Sequence, residues 1–495
     1  MSGTLRAQNY ADRDEFARAL ALTRSGPTDE TGIWQPWAYF RLGMYATVAA
    51  LPLRSADPQY IGRHLLPSVI SMAACGQDAR VMELLASVPW DDVPKTLRLS
   101  IAKHLSFYLP RESLALAGDS LHELPPTLRI LLLQRAGCMD QARAVLEAAL
   151  DEGLAGRYPE LYLYRMALDV VPPAQQADLL SRVLGAYGMP PLAPLDASLP
   201  LNPCNVAVPA ALPGRHGPLV TVLMTSFNAG TRLSAAIESA LRQTYEDLEV
   251  IVVDDASGDD TPDLIQAWAD RDPRVRMVRL RHNVGTYLAK SIGLSHARGE
   301  FVTCLDSDDW SHPLKLEFQM APLLRDENLI ATTSCAVRIH DDGSINTSSH
   351  ADPVHFNYSS LLFRRARVLR ETGAWDCGVR MGADAEFFWR LRLVYGPQSI
   401  LQVREPLSLL SYRKGTLTTT QDDVGFRGGR FPPSRLAYTE SFNAWHIGCL
   451  RNGRMPEGQD PLFWIDGRPF DAPEEMRVDA IQARRALLES GLVSK

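Results

Sequence analysis

Two short runs decide the fold: LVTVLMTSF at 219–227 and EVIVVDDAS at 249–257. Each is rich in aliphatic residues and runs into a polar end. Hydrophobicity that is continuous, not alternating, marks a strand covered on both faces, as in parallel sheets. Working outward, 231–243 has helical spacing, 261–270 is a second helical stretch, and RVRMVRL at 274–280 reads as a third strand. A third helix is expected over 286–297, and EFVTCLDSDD at 300–309 as a fourth strand. Short strands alternating with amphipathic helices predict a parallel α/β sheet with helices on both faces. Ligands of such sheets bind beyond the carboxyl ends of the strands. The polar clusters 226–228, 254–257 and 306–309 all fall there.

The flanks differ in character. Residues 1–190 read as helix after helix, at 14–24, 78–88, 127–135, 140–153 and 174–187, with Leu and Ala at helical spacing. GQDARVMELLASV from Gly76 and GCMDQARAVLEAAL from Gly137 are alike, the pattern of stacked helical hairpins, so an all-α helical array is expected, with a generic bundle as the alternative. The apolar stretch 37–53 is too short and too interrupted by Arg41 to span a membrane and reads as one buried helix. Residues 191–217 are rich in proline and form an extended linker laid over the surface. The α/β domain is expected over 218–420, and 421–495 as a short, mainly helical extension with helices near 434–450 and 478–490.

Composition narrows the function. With 495 residues, 46% hydrophobic and 22% charged, the chain has material for more than one core. A net charge of −7 argues against a nucleic-acid partner. Seven scattered cysteines without CxxC spacing argue against a disulfide framework or zinc site and fit a reducing cytoplasm. The first sixteen residues lack the apolar region of a secretory signal. The expectation is a cytoplasmic protein, with peripheral docking at the inner face of a membrane left open. HDDG at 340–343 reads as a hairpin turn, and no HExxH, P-loop or GxGxxG occurs.

LDSDDW at 305–310 carries the clearest chemistry. Asp306, Asp308 and Asp309 crowd the end of a buried strand, with Asp306 and Asp308 on one side of an extended chain. Their repulsion calls for a hard divalent cation, which would in turn bind a nucleotide's phosphates. The bland alternative is a solvated acidic turn. Asp254 and Asp255 end the second strand, where a carboxylate can accept hydrogen bonds from a base or ribose, against simple helix capping. Thr225, Phe227 and Asn228 end the first strand and suit hydrogen bonding and stacking on a base, against ordinary turn chemistry.

Taken together, 220–261, then NVGTYLAKSIGLSHARGEFVTCLDSDD at 283–309, resemble the nucleotide-binding half of glycosyltransferase family 2. The resemblance covers roughly 200 residues, with several motifs in order. It implies the GT-A fold, a Rossmann-like mixed sheet flanked by helices, and transfer with inversion at the sugar. It implies that Thr225 and Phe227 flank the base, that Asp255 binds its polar edge with Asp254 beside it, and that Asp306, Asp308 and Asp309 form the DxD-type motif. Asp308 and Asp306 would hold Mn2+ or Mg2+. Lys290 stands where the family has a phosphate-facing cation, whereas Ser291 departs from the pattern. SSLLFRRARVLRETGAWD at 359–376 followed by GADAEFFWRL at 382–391 resembles the acceptor side, which places the general base at Asp384, with Glu386 as the reserve candidate. SYRKGTLTTT at 411–420 resembles the loop over the donor diphosphate, with Arg413 and Lys414 as phosphate ligands, or an exposed basic turn.

The partners so implied are a nucleotide-sugar donor, UDP-linked above others, and a glycan, lipid-linked or protein acceptor in bacterial surface-polysaccharide assembly. The helical region would hold a protein partner or mediate oligomerisation. A nucleotidyltransferase would need a Gly-rich basic loop where this chain has SFNAG. A non-catalytic nucleotide-binding scaffold is the other reading.

Overall fold

The computed structural model describes residues 16–23, 34–52, 58–347, 352–416, 419, 432–458 and 460–493. Its centre is an eight-stranded sheet in the order β3-β2-β1-β4-β7-β6-β8-β5. The strands are β1 Val220–Ser226, β2 Leu248–Asp254, β3 Val275–Arg279, β4 Phe301–Cys304, β5 Trp310–Ser311, β6 Ala331–Ile339, β7 Val354–Arg364 and β8 Ile400–Ser411. β1 is parallel to β2 and β4, and β2 to β3, so the first half is the expected parallel sheet. β7 then runs antiparallel to both β4 and β6, and β6 is parallel to β8. The whole is a mixed sheet flanked by helices, with helices before it and after it.

Side-chain alternation splits the core into two layers. Val222, Met224, Val250 and Val252 point to one face, under the helices Arg232–Leu241, Thr261–Arg271 and Lys315–Arg325. Leu223, Ile251 and Val253 point to the other, under Thr286–Ser295 and Ala383–Tyr395. That second layer also takes Tyr438 and Phe442 from Pro433–Arg451 and Ala483 and Leu487 from Ala480–Glu489.

A buried carboxylate tacks the amino edge of the sheet together. Glu249 Oε1 accepts from Thr221 Oγ1 and from Arg298 N, each at 2.7 Å, and its Oε2 pairs with Arg276 and Arg298 at 2.9 Å. Burial alone would raise its pKa, but these donors hold it below the usual carboxylate range.

The helices before the sheet occur where periodicity places them, for example Asp78–Ser87, Pro126–Arg135, Met139–Asp151 and Pro173–Ala186. The two similar segments each start from a left-handed glycine, Gly76 at φ 72° and Gly137 at φ 81°, followed by a short helix. The stretch 37–53 is not one helix, contrary to the sequence expectation. It breaks into Gln35–Arg41 and Tyr45–Ala49 at Gly43, whose φ of 75° no helix accommodates. Residues 340–343 do form the expected turn, with Gly343 N donating to His340 O.

The proline-rich segment is pinned to the surface. Leu192, Leu201 and Val206 share a core with the Leu161–Leu168 and Pro173–Ala186 helices and with Val337, Ile339, Leu407 and Leu409 of the sheet. Gln176 accepts from Leu201 N and donates to Asp342 O. At the opposite end Phe16, Leu20 and Leu42 pack on Leu393 and Ile447. No helix among the described residues is long and apolar enough to cross a membrane.

Gly299 is where the chain passes closest to β1. A Cβ there would lie 2.6 Å from Thr221 N and 2.8 Å from Phe301 O, both backbone atoms. Gly299→Ala is expected to cost about 1–3 kcal/mol, as overpacking does. A lower urea or thermal unfolding midpoint measures it, and an unchanged midpoint would mean that the turn yields freely.

Candidate active site

Parallel pairing puts three polar turns at one edge. Thr225 pairs in register with Val253, Ser226 with Asp254, and Leu223 with Cys304. The first two turns are interlocked. Asn228 N donates to Ser257 Oγ at 2.9 Å, Asn228 Oδ1 accepts from Gly258 N at 2.9 Å, and Thr261 Oγ1 accepts from Ala229 N at 3.0 Å. Asn228 and Ala256 both take positive φ, 49° and 64°, a strain that such cross-links sustain. The Asn228 side chain thus clasps the loops. Phe227 is 51% exposed and offers its ring outward. Thr225 is buried and hydrogen-bonds Thr286 Oγ1 at 2.8 Å.

Asp254 turns inward, its Oδ1 accepting from Ser257 N and its Oδ2 lying 3.5 Å from Arg279. Asp255 Oδ1 accepts from Val284 N at 2.8 Å and Oδ2 from Gly285 N at 2.9 Å, which ties β2 to the start of the Thr286–Ser295 helix. Burial pushes its pKa up to about 6, with repulsion from Asp254 adding to the shift and the two N–H groups opposing it.

The acidic turn divides its carboxylates between tasks. Asp309 is buried and accepts from Ser411 N at 2.8 Å, so it anchors the 411–416 loop. That anchoring carries Arg413 to Asp308, 3.4 Å away. Asp306 accepts from Lys290 at 3.1 Å. Burial would strip the Lys290 proton, yet Asp306 holds its pKa above the ordinary lysine value. Burial and then mutual repulsion raise Asp308 and Asp309, with Arg413 pulling Asp308 back. Lys414 is exposed and, among the described residues, makes no contact that bears on the site.

Do these residues fit a divalent ion? Among the described residues no group of three or more His, Cys, Asp or Glu forms a metal cage. Asp306 and Asp308, 39% and 22% exposed at the side chain, are hard oxygen donors that repel one another. They fit an ion such as Mg2+, which is held by one or two carboxylates and takes its other ligands from phosphate and water.

Asp384 opens the Ala383–Tyr395 helix after Gly382, whose φ is 84°. Its Oδ1 accepts from Tyr287 Oη and from Ala385 N, both at 3.0 Å. Tyr287 and Lys290 sit on one face of the same helix, so one element holds Asp384 and Asp306 together. The sequence reading missed Tyr287, although its i,i+3 spacing to Lys290 was visible. Glu386 is not a reserve base. It is fully buried, paired with Arg390 at 2.8 Å and hydrogen-bonded by His446 at 3.0 Å, on a helix face turned from the site. Burial would raise its pKa, but Arg390 and His446 hold it down to about 2.

A cavity of about 280 Å3 lies between the 195–214 segment and the Arg232–Leu241 helix. None of Thr225, Phe227, Asp255, Asp306, Asp308 or Asp384 lines it, so charge and register, not volume, mark the site.

With this geometry in hand, comparison with known proteins is direct. Residues 221–392 match the family model described as glycosyl transferase family 2. The succinoglycan biosynthesis protein ExoO of Rhizobium meliloti is 43% identical over 188 residues, covering 34% of this chain and 53% of that one. An Escherichia coli protein, UDP-Glc:alpha-D-GlcNAc-diphosphoundecaprenol beta-1,3-glucosyltransferase WfgD, is 36% identical over 144 residues, 29% of this chain and 55% of that one. A solved S. aureus structure, TarS 1-349 with UDP-GlcNAc, shares 15% identity over 48% of this chain and 68% of that one, with a TM-score of 0.37. The chain spans about half the length of these two curated relatives. Asp255, Asp306, Asp308 and Asp384 all lie within the stretch that the family model matches.

The Glu386 cluster generates a stability test. Its folded pKa lies below the unfolded value, so the stability it contributes is present above about pH 4.5 and is lost as pH falls toward about 2. Glu386→Gln should cost about 3–5 kcal/mol at pH 7, because Arg390 is left buried without its counter-charge. Urea unfolding at several pH values should show the gap to wild type closing in acid, and a constant gap would contradict the ion-pair account.

Proposed function

We propose that the chain is a glycosyltransferase that moves a sugar from a nucleotide-diphosphate sugar, a UDP-sugar above others, to a hydroxyl acceptor, with inversion. The observation that carries this reading is the single helix that holds Asp384 through Tyr287 and the DSDD turn through Lys290. Asp384 Oδ1 is occupied, which leaves Oδ2 to take the acceptor proton as its oxygen attacks the anomeric carbon. The bond to the leaving diphosphate breaks on the opposite face of that carbon. Phe227 and Thr225 would flank the base, with Asp255 at its polar edge and Asn228 and Asp254 shaping the loops. Asp309 places the loop so that Arg413 reaches the diphosphate, and Lys290 keeps Asp306 aligned. Asp306 and Asp308 would hold Mn2+ or Mg2+, which supplies neutralising charge to the leaving diphosphate.

Surface-polysaccharide or glycoconjugate assembly in bacteria is the proposed setting, supported by the names of the matched relatives. The acceptor is then a glycan, a lipid-linked sugar or a protein. We further infer a division of labour: a helical part at 1–190 for a partner or oligomer contact, a connector at 191–217, the transferase at 218–420 and a supporting extension at 421–495. A cytoplasmic location, with peripheral attachment to the membrane, belongs to the same proposal.

Calorimetric titration of UDP, dTDP and GDP, with and without Mn2+, tests the donor half. One nucleotide should bind in a metal-dependent way, and Asp308→Ala should weaken it by about tenfold or more, the worth of a lost charged contact. Binding that ignores both metal and variant would remove the proposed role of the DSDD turn. Asp384→Asn should bind the same nucleotide as wild type while sugar transfer falls by about 10²–10⁴-fold. Nucleotide binding with no turnover in the wild type would favour the scaffold reading.

A further inference from the structure

The cavity of about 280 Å3 beneath the 195–214 segment has no part in the transfer proposed above. Its volume is at the low end of sites that take small molecules. The segment over it is tied down on both sides. Ala193 and Ala207 exchange backbone hydrogen bonds of 2.8 Å, while Arg215 N donates to Thr244 O at 2.7 Å and Arg215 O accepts from Glu246 N at 2.8 Å. Backbone held at both ends keeps the space open between the segment and the Arg232–Leu241 helix.

One wall of the cavity is β5. Trp310 and Ser311 are 6% and 4% exposed, and both line the space. Ser311 Oγ accepts from Gln243 Nε2 at 3.2 Å, but its own hydrogen meets no acceptor among the described residues, and neither does the Trp310 indole N–H. A buried indole N–H normally has a partner, as that of Trp464 has in Gly458 O at 3.2 Å. Two donors at this wall are thus left for acceptor oxygens from elsewhere. Val206 and Leu212 add apolar surface, and the half-exposed Glu238, Arg242 and Glu246 add charge. Arg242 is already paired with Glu238, 2.6 Å away. The remaining carboxylate repels phosphates and carboxylates and accepts hydrogens from hydroxyl groups. Acceptor oxygens, hydroxyl hydrogens, apolar C–H faces and no charge together describe a sugar ring.

We propose that this cavity binds an uncharged sugar, at a site separate from the reacting edge. The sugar is either free or a distant unit of the glycan on which the transferase acts, and the second source rests on the transferase reading. The two sites are neighbours in the chain. Trp310 follows Asp309 directly, and β5 pairs with Leu409 and Ser408 of β8, just before Ser411 donates to Asp309. A sugar seated on Trp310 adds contacts to the strand that continues the DSDD turn.

Saturation-transfer NMR on the full chain, with no nucleotide present, tests the site. The probes are the methyl glycosides of glucose, galactose, mannose and N-acetylglucosamine, with cyclohexanol and glucose 1-phosphate as apolar and charged controls. At least one glycoside should bind with a Kd on the order of a millimolar, and neither control should match it. Ala235 lines the cavity from the helix side, so Ala235→Trp should fill it and abolish binding at an unchanged unfolding midpoint. Ser311→Ala should weaken binding by about threefold or more, the worth of a neutral hydrogen bond. A linear tetrasaccharide that binds tighter than the glycoside of its own sugar supports the glycan source, and equal affinity supports the free sugar. Absence of glycoside binding overturns the proposal, as does a control that binds as well as the best glycoside. Binding that Ala235→Trp leaves intact also overturns it and moves the sugar to the reacting edge. Should that variant fail to fold, Ser311→Ala decides in its place. Failure of the transferase reading shows separately, as wild type that binds no UDP, and leaves this nucleotide-free test untouched.

Discussion

Lys290 is a buried ammonium, and a charge in that position must be matched. Asp306 matches it at 3.1 Å, and Tyr287, on the same face of the helix, donates to Asp384 at an equal reach of 3.0 Å. The separation between the acidic turn and Asp384 is therefore set by helical geometry, not by loops that could drift. The helix is itself fixed at its start, where Asp255 receives the N–H groups of Val284 and Gly285. Position is handed from β2 through Asp255 to the helix, and from the helix to both Asp306 and Asp384.

The helix that carries Asp384 is braced from behind by residues far away in the chain. Glu386 and Arg390 pair in the interior, with His446 as a third member. Asp376 accepts from Tyr438 and pairs with Arg468. Both clusters tie the Ala383–Tyr395 helix and the segment that leads into it to the C-terminal part of the chain. The helices at the other end of the chain lean on the same structure through Leu393 and Ile447. The family domain is thus one part of a larger packed body.

Much of this was legible in the amino-acid order. The runs at 219–227 and 249–257 contain strands covered on both faces, as their largely apolar make-up indicates. The DSDD turn and Asp384 were recognisable because residue type and spacing together restrict the chemistry. Asp384 and Glu386 are two positions apart and so lie about 200° apart around the helix. Spacing alone shows that they cannot share a face, but not which one looks at the site. The antiparallel half of the sheet was equally hidden, because β6 finds β8 across a long stretch of chain. The break at Gly43 was missed because a lone glycine is tolerated in many helices.

The bracing of the Ala383–Tyr395 helix has a consequence for biogenesis. Its buried arginine and carboxylate are made early, and His446, Tyr438 and Arg468 leave the ribosome only afterwards. A nascent chain halted between them holds Arg390 and Glu386 together but lacks the side chains that cover them. Contacts so distant in sequence close slowly and expose apolar surface while they wait. The parallel strands β1 to β4 can assemble during translation, whereas the surroundings of Asp384 are completed last.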